Sequence, residues 1–336
     1  FQIDKLVLDI QDKEKMLQFL NDIDIFLSSV PYPLNPYLTD VAIESKTHMV
    51  DLGGHTQNVI KQIERSGEAY DAGISIVPDC GMGPGMNVSM ALLSMEGFNF
   101  VEEVRVWDGG LPQEPTPPWN YNLFFNIEGL TNEYDGNAYF IRDKKVVEVP
   151  CFEDIENLKF PDSIGDLEAA VTSGGLSTMP WTYEGEINLL ENKTLRYPGH
   201  WGEMILFREL GLFSQEPIEI NNTKVAPREF YHKLLEPKLL IDNPSDVCIM
   251  RTETIGLTDK GKTKKTVDCI EYFDSKTGFL AMEQWTGYHA SMVMQHIING
   301  KVDRGAIPIE KAMSGLDFYK YAKQRKYNIN INIDSI

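Results

Sequence analysis

The first hundred residues alternate between short apolar runs and segments with a helical period, and this alternation limits the fold more than any other feature. Strands are predicted at 6–10, 23–30, 49–52 and 74–77, and helices at 12–20, around 38–42 and at 56–65. Such elements with short links are typical of right-handed crossovers in a parallel sheet. The near-continuous apolar strands indicate burial on both faces. The pattern predicts half of a doubly wound α/β domain, although the pattern alone does not establish nucleotide binding.

Strand-like segments dominate after about residue 100. The proline-rich stretch 111–118 predicts an extended connection, and 247–255 is predicted to pair with 266–273. Further strands are expected at 103–106, 119–126, 138–141 and 145–149, and helices at 203–210, 286–298 and 315–324. We therefore expect three parts: a partial nucleotide-binding domain at 1–100, a mixed catalytic domain at 101–285, and C-terminal helices at 286–336 that return to the first domain.

The net charge of the chain restricts the classes of molecule that it can bind. With 50 acidic and 31 basic residues, the chain has a formal net charge of −19. Such a field repels nucleic acid and favours a cationic substrate, although an acidic surface also serves solubility alone. The cysteines are scattered without a CxxC pair, which is typical of a reducing compartment, and we expect the cytoplasm. No membrane partner and no metal site are expected, because the sequence contains neither a long apolar run nor a motif such as HExxH.

The segment 78–86, with the sequence PDCGMGPGM, is the strongest local signal. It leaves a predicted strand and is expected to begin a helix at Pro84, a residue suited to the first helical turn. Ligands of open α/β sheets bind beyond the carboxyl ends of the strands, and glycines let the backbone approach them closely. A glycine-rich turn that serves packing alone is the alternative.

Motifs in a fixed order resemble the saccharopine dehydrogenase-like family, most closely its lysine 6-dehydrogenase branch. They are SSVPYPLNPYLTDVAIESKTHMVDLGG (28–54), PDCGMGPGMN (78–87), GGLPQEPTPPWNY (109–121), TSGGLSTMPWT (172–182), KTLRYPGHWGEM (193–204) and, more weakly, WTGYHASMV (285–293). The resemblance implies a Rossmann-like parallel sheet, a second mixed α/β catalytic domain, and a nicotinamide cofactor in the cleft between them. It leaves NAD and NADP both open and implies a homodimer. The family opens with a strand and a GxGxxG turn, which this sequence lacks. We therefore expect the parent protein to continue upstream with the first strands of the sheet.

The resemblance also places cofactor contacts at the ends of successive predicted strands. These are Ser29, Val30, Pro31, Asp51, Leu52, Gly53, Gly81, Met82 and Pro84. A plain strand-end turn remains the alternative at each of these places. Cys80 is expected to be a small buried side chain rather than a nucleophile.

Three residues are candidates for catalysis. Asp79, at a strand tip, could hold a substrate ammonium group or merely cap a turn. Arg196 could bind a substrate carboxylate in two-pronged fashion or pair with a structural acid. His200 could accept a proton near neutral pH or cap the following helix. Tyr197 and Thr178 are candidates for substrate binding.

Other polar residues have a structural alternative of equal or greater weight. Thr172 and Ser173, in the same turn as Thr178, could also reach a substrate. His289 and His296 share one helix face and are expected in the core or an interface rather than at a metal.

The resemblance implies oxidation at the side-chain amine of L-lysine, with hydride passing to NAD. Hydride does not leave readily from a carbon that bears an ammonium group, so the site must first remove a proton from an amine whose ordinary pKa is about 10.4. Saccharopine or a carboxylated polyamine are alternative substrates within the family. A non-catalytic binding module that has lost the cofactor site is the alternative from another class.

Overall fold

The computed structural model describes residues 3–161 and 163–336. Its strands are β1 Ile25–Ser28, β2 His48–Asp51, β3 Ser75–Val77, β4 Phe100–Pro112, β5 Asn137–Arg142, β6 Lys145–Pro150, β7 Glu156–Lys159, β8 Asp166–Val171, β9 Leu189–Arg196, β10 Ile218–Ile220, β11 Thr223–Val225, β12 Asp246–Thr258, β13 Gly261–Tyr272, β14 Gly305–Ala306 and β15 Ile329–Ser335. Its helices are α1 Lys13–Leu20, α2 Asn35–Ser45, α3 Thr56–Glu64, α4 Ser66–Asp71, α5 Met86–Met95, α6 Ile127–Glu133, α7 Met179–Thr182, α8 His200–Glu209, α9 Pro227–Leu239, α10 Ala281–Ile298, α11 Ile309–Ala312 and α12 Gly315–Gln324. A 3₁₀ turn covers Tyr32–Leu34.

The first sheet is parallel throughout, in the order β1-β2-β3-β14. Its strands are short and almost fully buried in β2 and β3, as the apolar runs predict. One face packs against α1, α2 and α4 through a core that includes Leu20, Leu38 and Ile76. The prediction of an α/β fold with a parallel sheet is confirmed.

The second sheet is mixed and has nine strands. Its main path runs β15-β13-β12-β4-β9-β5-β6, and β8 pairs with β9 and β7. The long hairpin of β12 and β13 confirms the predicted pairing, with Val247 opposite Tyr272. Between the two sheets lies α5, in which every residue from Met86 to Ser94 is buried, so this helix belongs to the common core. No helix in the described ranges is long and apolar enough to cross a bilayer.

The last part of the chain visits both sheets. Helix α10 starts on β12 and contacts β1 and β2, and β14 then joins the first sheet beside β3. After α12 packs on α5, β15 pairs with β13 at the edge of the second sheet. His289 and His296 lie buried on α10, which confirms that they belong to the core.

Several local predictions are wrong. Residues 6–10 form no strand, because no neighbouring strand pairs with them in the described structure. Residues 119–126 also form none, since Tyr121 and Leu123 instead pack among α8 and α9. Helix α5 begins at Met86 rather than at Pro84, because Gly85 adopts a φ of 134° that ends the loop.

Candidate active site

A cavity of about 650 Å³ lies between the carboxyl ends of the first-sheet strands and one face of the second sheet. The first-sheet side is formed by the segments that follow β1, β2 and β3. The opposite side is formed by β4, β9, α6 and the loop 172–175. Its lining residues are Ser29–Pro33, Leu52–Gly54, Gly81–Pro84, Asp108–Gly110, Phe125, Asn126, Glu128, Gly129, Glu133, Thr172–Gly175, Asn192, Thr194, Arg196, Met282 and Thr286.

The first-sheet side offers mostly backbone to the cavity. Gly53 has a φ of +70°, and a Cβ there would lie 1.7 Å from Asp79 Oδ1, so a side chain has no room. A Cβ on Gly83 would lie 2.6 Å from Asp108 Oδ2. The result is a smooth surface on which a flat ring can lie against main-chain atoms.

All the expected cofactor contacts line this cavity except Asp51. The Asp51 side chain is fully buried behind the turn. Its Oδ1 accepts hydrogen bonds from the Gly53 amide at 2.8 Å and the Asp79 amide at 3.2 Å, and its Oδ2 accepts one from Gln62 at 2.8 Å. Asp51 therefore shapes the strand-end turn, and the prediction that it lines the site is wrong.

Asp79 lies directly behind Gly53 and is 1% exposed. Its φ is +58°, in the left-handed region. Burial raises the pKa of its carboxyl to about 7, and the neighbouring Asp51 carboxylate adds to the rise. The structure places Asp79 one glycine away from the cavity rather than in its lining, so it cannot contact a substrate ammonium directly.

Arg196, at the end of β9, is 3% exposed and lines the cavity. Its Nε donates to the Tyr134 hydroxyl at 2.9 Å, and its Nη1 donates to the Leu195 carbonyl at 2.9 Å. Its Nη2 lies 3.4 Å from Glu133 Oε2. Arg196 therefore pairs with an acid, as one alternative predicts, and it also faces the cavity, so that carboxylate binding stays a prediction.

His200 is 1% exposed and lies behind Arg196, outside the cavity lining. Its Nε2 lies 2.9 Å from the Tyr134 hydroxyl and its Nδ1 lies 3.4 Å from the Trp119 carbonyl. Burial, and then the Arg196 charge, lower its pKa to about 3. The prediction that His200 takes a substrate proton is therefore wrong, since a neutral and buried ring supports Tyr134 instead. It is the first residue of α8, which follows the N-cap Gly199.

The two substrate-binding candidates also face away from the cavity. The Tyr197 hydroxyl donates to the Pro112 carbonyl at 3.0 Å, and Tyr197 packs on the far side of the sheet. The Thr178 hydroxyl donates to Glu310 Oε1 at 2.9 Å. Both expectations of direct substrate contact are wrong, whereas Thr172 and Ser173 from the same turn do line the cavity.

Three acidic residues of the cavity wall, Asp108, Glu128 and Glu133, are not among the predicted site residues. Asp108, within β4, accepts a hydrogen bond from Asn192 at 2.6 Å, and burial raises its pKa to about 6. Glu133, at the end of α6, has a pKa raised to about 7 by burial, which outweighs the attraction of Arg196. A single acid inside the apolar run VRVWDGGL was the available signal for Asp108.

Two amides join the walls of the cavity. Asn87 Nδ2, at the start of α5, donates to the Gly175 carbonyl at 2.8 Å. Asn132 of α6 donates to the hydroxyl of Tyr32, whose ring stacks on His55 with centroids 5.2 Å apart. The glycine-rich segment, the loop 172–175 and α6 are thus held together around one space.

Comparison with known proteins identifies the family. The family model described as the saccharopine dehydrogenase C-terminal domain matches residues 81–325, most of the chain. The chain belongs to the saccharopine dehydrogenase family. The Saccharomyces cerevisiae saccharopine dehydrogenase [NADP(+), L-glutamate-forming] is 24% identical over 240 residues, 69% of this chain and 53% of the relative. The bovine mitochondrial alpha-aminoadipic semialdehyde synthase is 25% identical over 223 residues, 61% of this chain. The match spans only 23% of the bovine protein and about half of the yeast one.

Solved structures share the fold of this saccharopine dehydrogenase family member. Apo saccharopine dehydrogenase (L-Glu forming) from Saccharomyces cerevisiae has a TM-score of 0.77 at 16% identity, over 98% of this chain and 88% of that one. The Legionella pneumophila homospermidine synthase in complex with NAD has a TM-score of 0.65 at 10% identity, over 98% and 80% of the two chains.

The residues present fit a nicotinamide dinucleotide. Gly53 and Gly83 present main chain without a side chain at the cavity wall, because a Cβ there would collide with Asp79 or Asp108, and a planar ring can lie against such backbone. Residues 29–31, 52–53 and 81–84 would hold such a group at the carboxyl ends of β1, β2 and β3.

Proposed function

We propose that this protein is an NAD(P)-dependent dehydrogenase that oxidises the CH–NH₂ group of an amino acid, with L-lysine as the substrate. The observation that carries the proposal is the charge inventory of the cavity. Arg196 is the one Lys or Arg among the described lining residues, whereas Asp108, Glu128 and Glu133 supply three carboxyls. A substrate with one carboxylate and an excess of amines complements this set.

Of the three carboxyls, Glu128 contributes least to the negative charge of the cavity, because it already pairs with residues outside the cavity. Its Oε1 lies 3.3 Å from Arg228 Nη1 and its Oε2 lies 3.1 Å from His232 Nδ1. Asp108 therefore remains to receive an amine of the substrate, and Glu133, which pairs with Arg196 at 3.4 Å, lies next to the group proposed for the substrate carboxylate. An arginine with several N–H groups in one plane can bind a carboxylate through two of them.

Asp108 is the group proposed to accept the proton of the side-chain ammonium. It lines the cavity, Asn192 fixes its orientation, and a pKa of about 6 leaves it ionised at neutral pH. The transfer is uphill from an amine whose pKa is about 10.4, so the amine pKa must fall inside the cavity through partial desolvation. The bound nicotinamide supplies the hydride acceptor. Removal of bulk water by the glycine-rich wall and α6 protects the imine product until release.

Saccharopine is the second candidate, supported by the names of the relatives that match this chain. It carries more carboxylates than amines, and a site for it needs several cations. The single lining arginine favours lysine over saccharopine.

The test is to mix full-length protein with NAD or NADP and L-lysine, saccharopine or a carboxylated polyamine, and to follow the reduced cofactor. We expect turnover with lysine, at a rate that rises towards alkaline pH as the amine loses its proton. Turnover of saccharopine without turnover of lysine would identify saccharopine as the substrate. Dinucleotide binding without turnover of any amine would instead identify a binding module.

A further inference from the structure

The carboxyl of Asp79 is buried beside the cavity without a counter-charge. Its Oδ1 lies where a Cβ of Gly53 would be, at 1.7 Å from that position, and Gly53 lines the cavity. Among the described residues, no hydrogen-bond donor reaches this oxygen within bonding geometry. Only the thickness of a glycine therefore separates an unpartnered carboxylate oxygen from whatever lies against Gly53.

The groups that face Asp79 make its surroundings more acidic. Asp51 from β2 and Glu310 from α11 both raise the pKa of Asp79, and Cys80 beside it is neutral because burial raises the pKa of its thiol. The Ser177 side chain and the Gly54 amide lie near enough to offset part of the rise. In the described part of the chain, no Lys or Arg is among the groups that shift the pKa of this carboxyl. A cation is the partner that this environment lacks.

Burying Asp79 in this way lowers the stability of the folded protein. A buried carboxylate without a cation destabilises a fold, and a left-handed aspartate adds backbone strain. Asp79 has a φ of +58° and shares this small volume with Asp51. Costs of this kind persist at functional sites, where a ligand supplies the missing interaction.

We infer that Asp79 makes this site prefer the oxidised, positively charged nicotinamide over the reduced, neutral one. The inference rests on the proposed function, because it takes the ligand at Gly53 to be a nicotinamide. The oxidised ring carries a positive charge that disappears when it accepts a hydride, and an anion held close behind a glycine distinguishes the two forms. The attraction acts through protein rather than water, where opposite charges interact more strongly.

The preference should depend on pH with a defined sign. With a pKa of about 7, Asp79 is mostly neutral at pH 6 and mostly charged at pH 8. Affinity for the oxidised form should therefore rise over this range, and its binding should release a proton from Asp79 below pH 7. The reduced form should bind with little dependence on pH. By reciprocity, each pKa unit by which the ring lowers Asp79 corresponds to about a tenfold gain in affinity.

The experiment measures equilibrium dissociation constants of oxidised and reduced NAD(P) for full-length protein without amine substrate, at pH 6 and pH 8. We expect Asp79→Asn to weaken binding of the oxidised form by about tenfold at pH 8 and to leave the reduced form within about twofold. Asparagine has the same shape and also adopts left-handed backbone, so the turn should persist. Asp71→Asn, which removes an exposed acid at the end of α4, is the matched control for the change in net charge.

Equal effects of Asp79→Asn on both cofactor forms would overturn the inference and leave the proposed dehydrogenase intact. If neither the oxidised nor the reduced form binds the wild-type protein, both the inference and the proposed function are overturned. If the variant does not fold, titration calorimetry of the wild-type protein in two buffers decides. Proton release with the oxidised form alone supports the inference, and no release, or the same release with both forms, contradicts it.

Discussion

At the scale of single residues, a chain of hydrogen bonds behind the cavity wall determines how the Arg196 guanidinium is oriented. The Arg196 Nε–H donates to the Tyr134 hydroxyl, whose own proton can point only to His200 Nε2 at 2.9 Å. The His200 Nδ1–H then faces the Trp119 carbonyl. This chain fixes the neutral histidine tautomer and aims the guanidinium at the cavity. His200 thus orients Arg196 through Tyr134, as a positioning residue.

Replacing Asp108 by asparagine tests the proposed proton acceptor. We expect Asp108→Asn to lower kcat by at least about 10²-fold, because an amide cannot accept the ammonium proton, with a smaller change in KM. In the wild-type protein kcat should fall as the pH drops below about 6, where Asp108 becomes protonated. The measurement is kcat across pH for wild type and for Glu133→Gln. In Glu133→Gln, kcat should still fall below about pH 6 as it does in the wild-type protein. If Asp108→Asn and Glu133→Gln lose kcat to the same extent, Asp108 has no special role as the proton acceptor.

Two of the cavity residues that the sequence analysis missed, Asn192 and Thr194, lie on one strand with Arg196. Asn192, Thr194 and Arg196 alternate along β9 and all line the cavity, as side chains two apart in a strand must share a face. Only Arg196 was selected, because β9 itself was not predicted and the period of two was not applied. The same period turns Tyr197 to the other face. A motif shows which residues lie near a site, but the direction of each side chain depends on the element that carries it.

At the scale of elements, α11 anchors the loop that carries Thr172 and Ser173. Glu310 of α11 is buried and accepts hydrogen bonds from Thr178 at 2.9 Å and Thr182 at 2.6 Å. Thr178 is the N-cap of α7 and Thr182 is its last residue, so both lie directly after the cavity loop. A short helix near the end of the chain therefore holds part of the wall in the middle of the chain.

Removing this anchor should loosen the loop without unfolding the protein. Glu310→Ala leaves two threonine hydroxyls without their acceptor, and we expect a loss of about 1–3 kcal/mol in unfolding free energy. Amide hydrogen exchange in residues 172–182 should become faster while exchange in β12 and β13 stays slow. Glu310→Gln keeps an acceptor oxygen and should fall between wild type and the alanine variant. Unchanged exchange in the loop of the alanine variant would show that Glu310 does not anchor it.

Elements with strong periodicity could be predicted, and those that depend on a distant partner could not. The β12–β13 hairpin matches its prediction because its two strands pair with each other across a short turn. Helix α12 matches its prediction through its own periodicity, although it packs on the distant α5. By contrast, the apolar residues 119–126 pack on α8 and α9, and 6–10 have no strand to pair with. Strand β15 was missed because its side chains are mostly exposed and only its pairing with β13 makes it a strand.

At the scale of the whole molecule, buried acids should make stability depend on pH. Burial raises the pKa of Asp79 and Glu133 to about 7, above the values of an unfolded chain. At these two carboxyls the folded state therefore holds more protons near neutrality, and their contribution to stability should fall as the pH rises through 7. Burial lowers the pKa of His200 to about 3 and of His289 to about 4, so these two rings contribute in the opposite direction as the pH rises through about 6.5. The net charge of −19 adds repulsion in the same direction as the two carboxyls.

Thermal unfolding of the cofactor-free protein at pH 6 and pH 8 measures this effect. We expect the contribution of Asp79 to favour a higher Tm at pH 6 than at pH 8, and we expect this contribution to persist at high salt, which screens surface repulsion far more than buried groups. Asp79→Asn should reduce the difference in Tm, whereas the exposed Asp71→Asn should not. A difference that vanishes entirely in salt would assign the effect to surface charge alone.

The C-terminal segment contributes one strand to each sheet, and this limits how far the two sheets can move apart. From α10 the chain enters the first sheet at β14 and then returns to the second at β15, so strands of both sheets belong to one continuous stretch. A hinge motion that swung the sheets apart would have to pull against this stretch. Substrate and product are thus expected to exchange at the rim, through small displacements of α6 and the loop 172–175, while the body stays rigid. Because this C-terminal segment belongs to both sheets, we also expect the two sheets to unfold together in one cooperative transition.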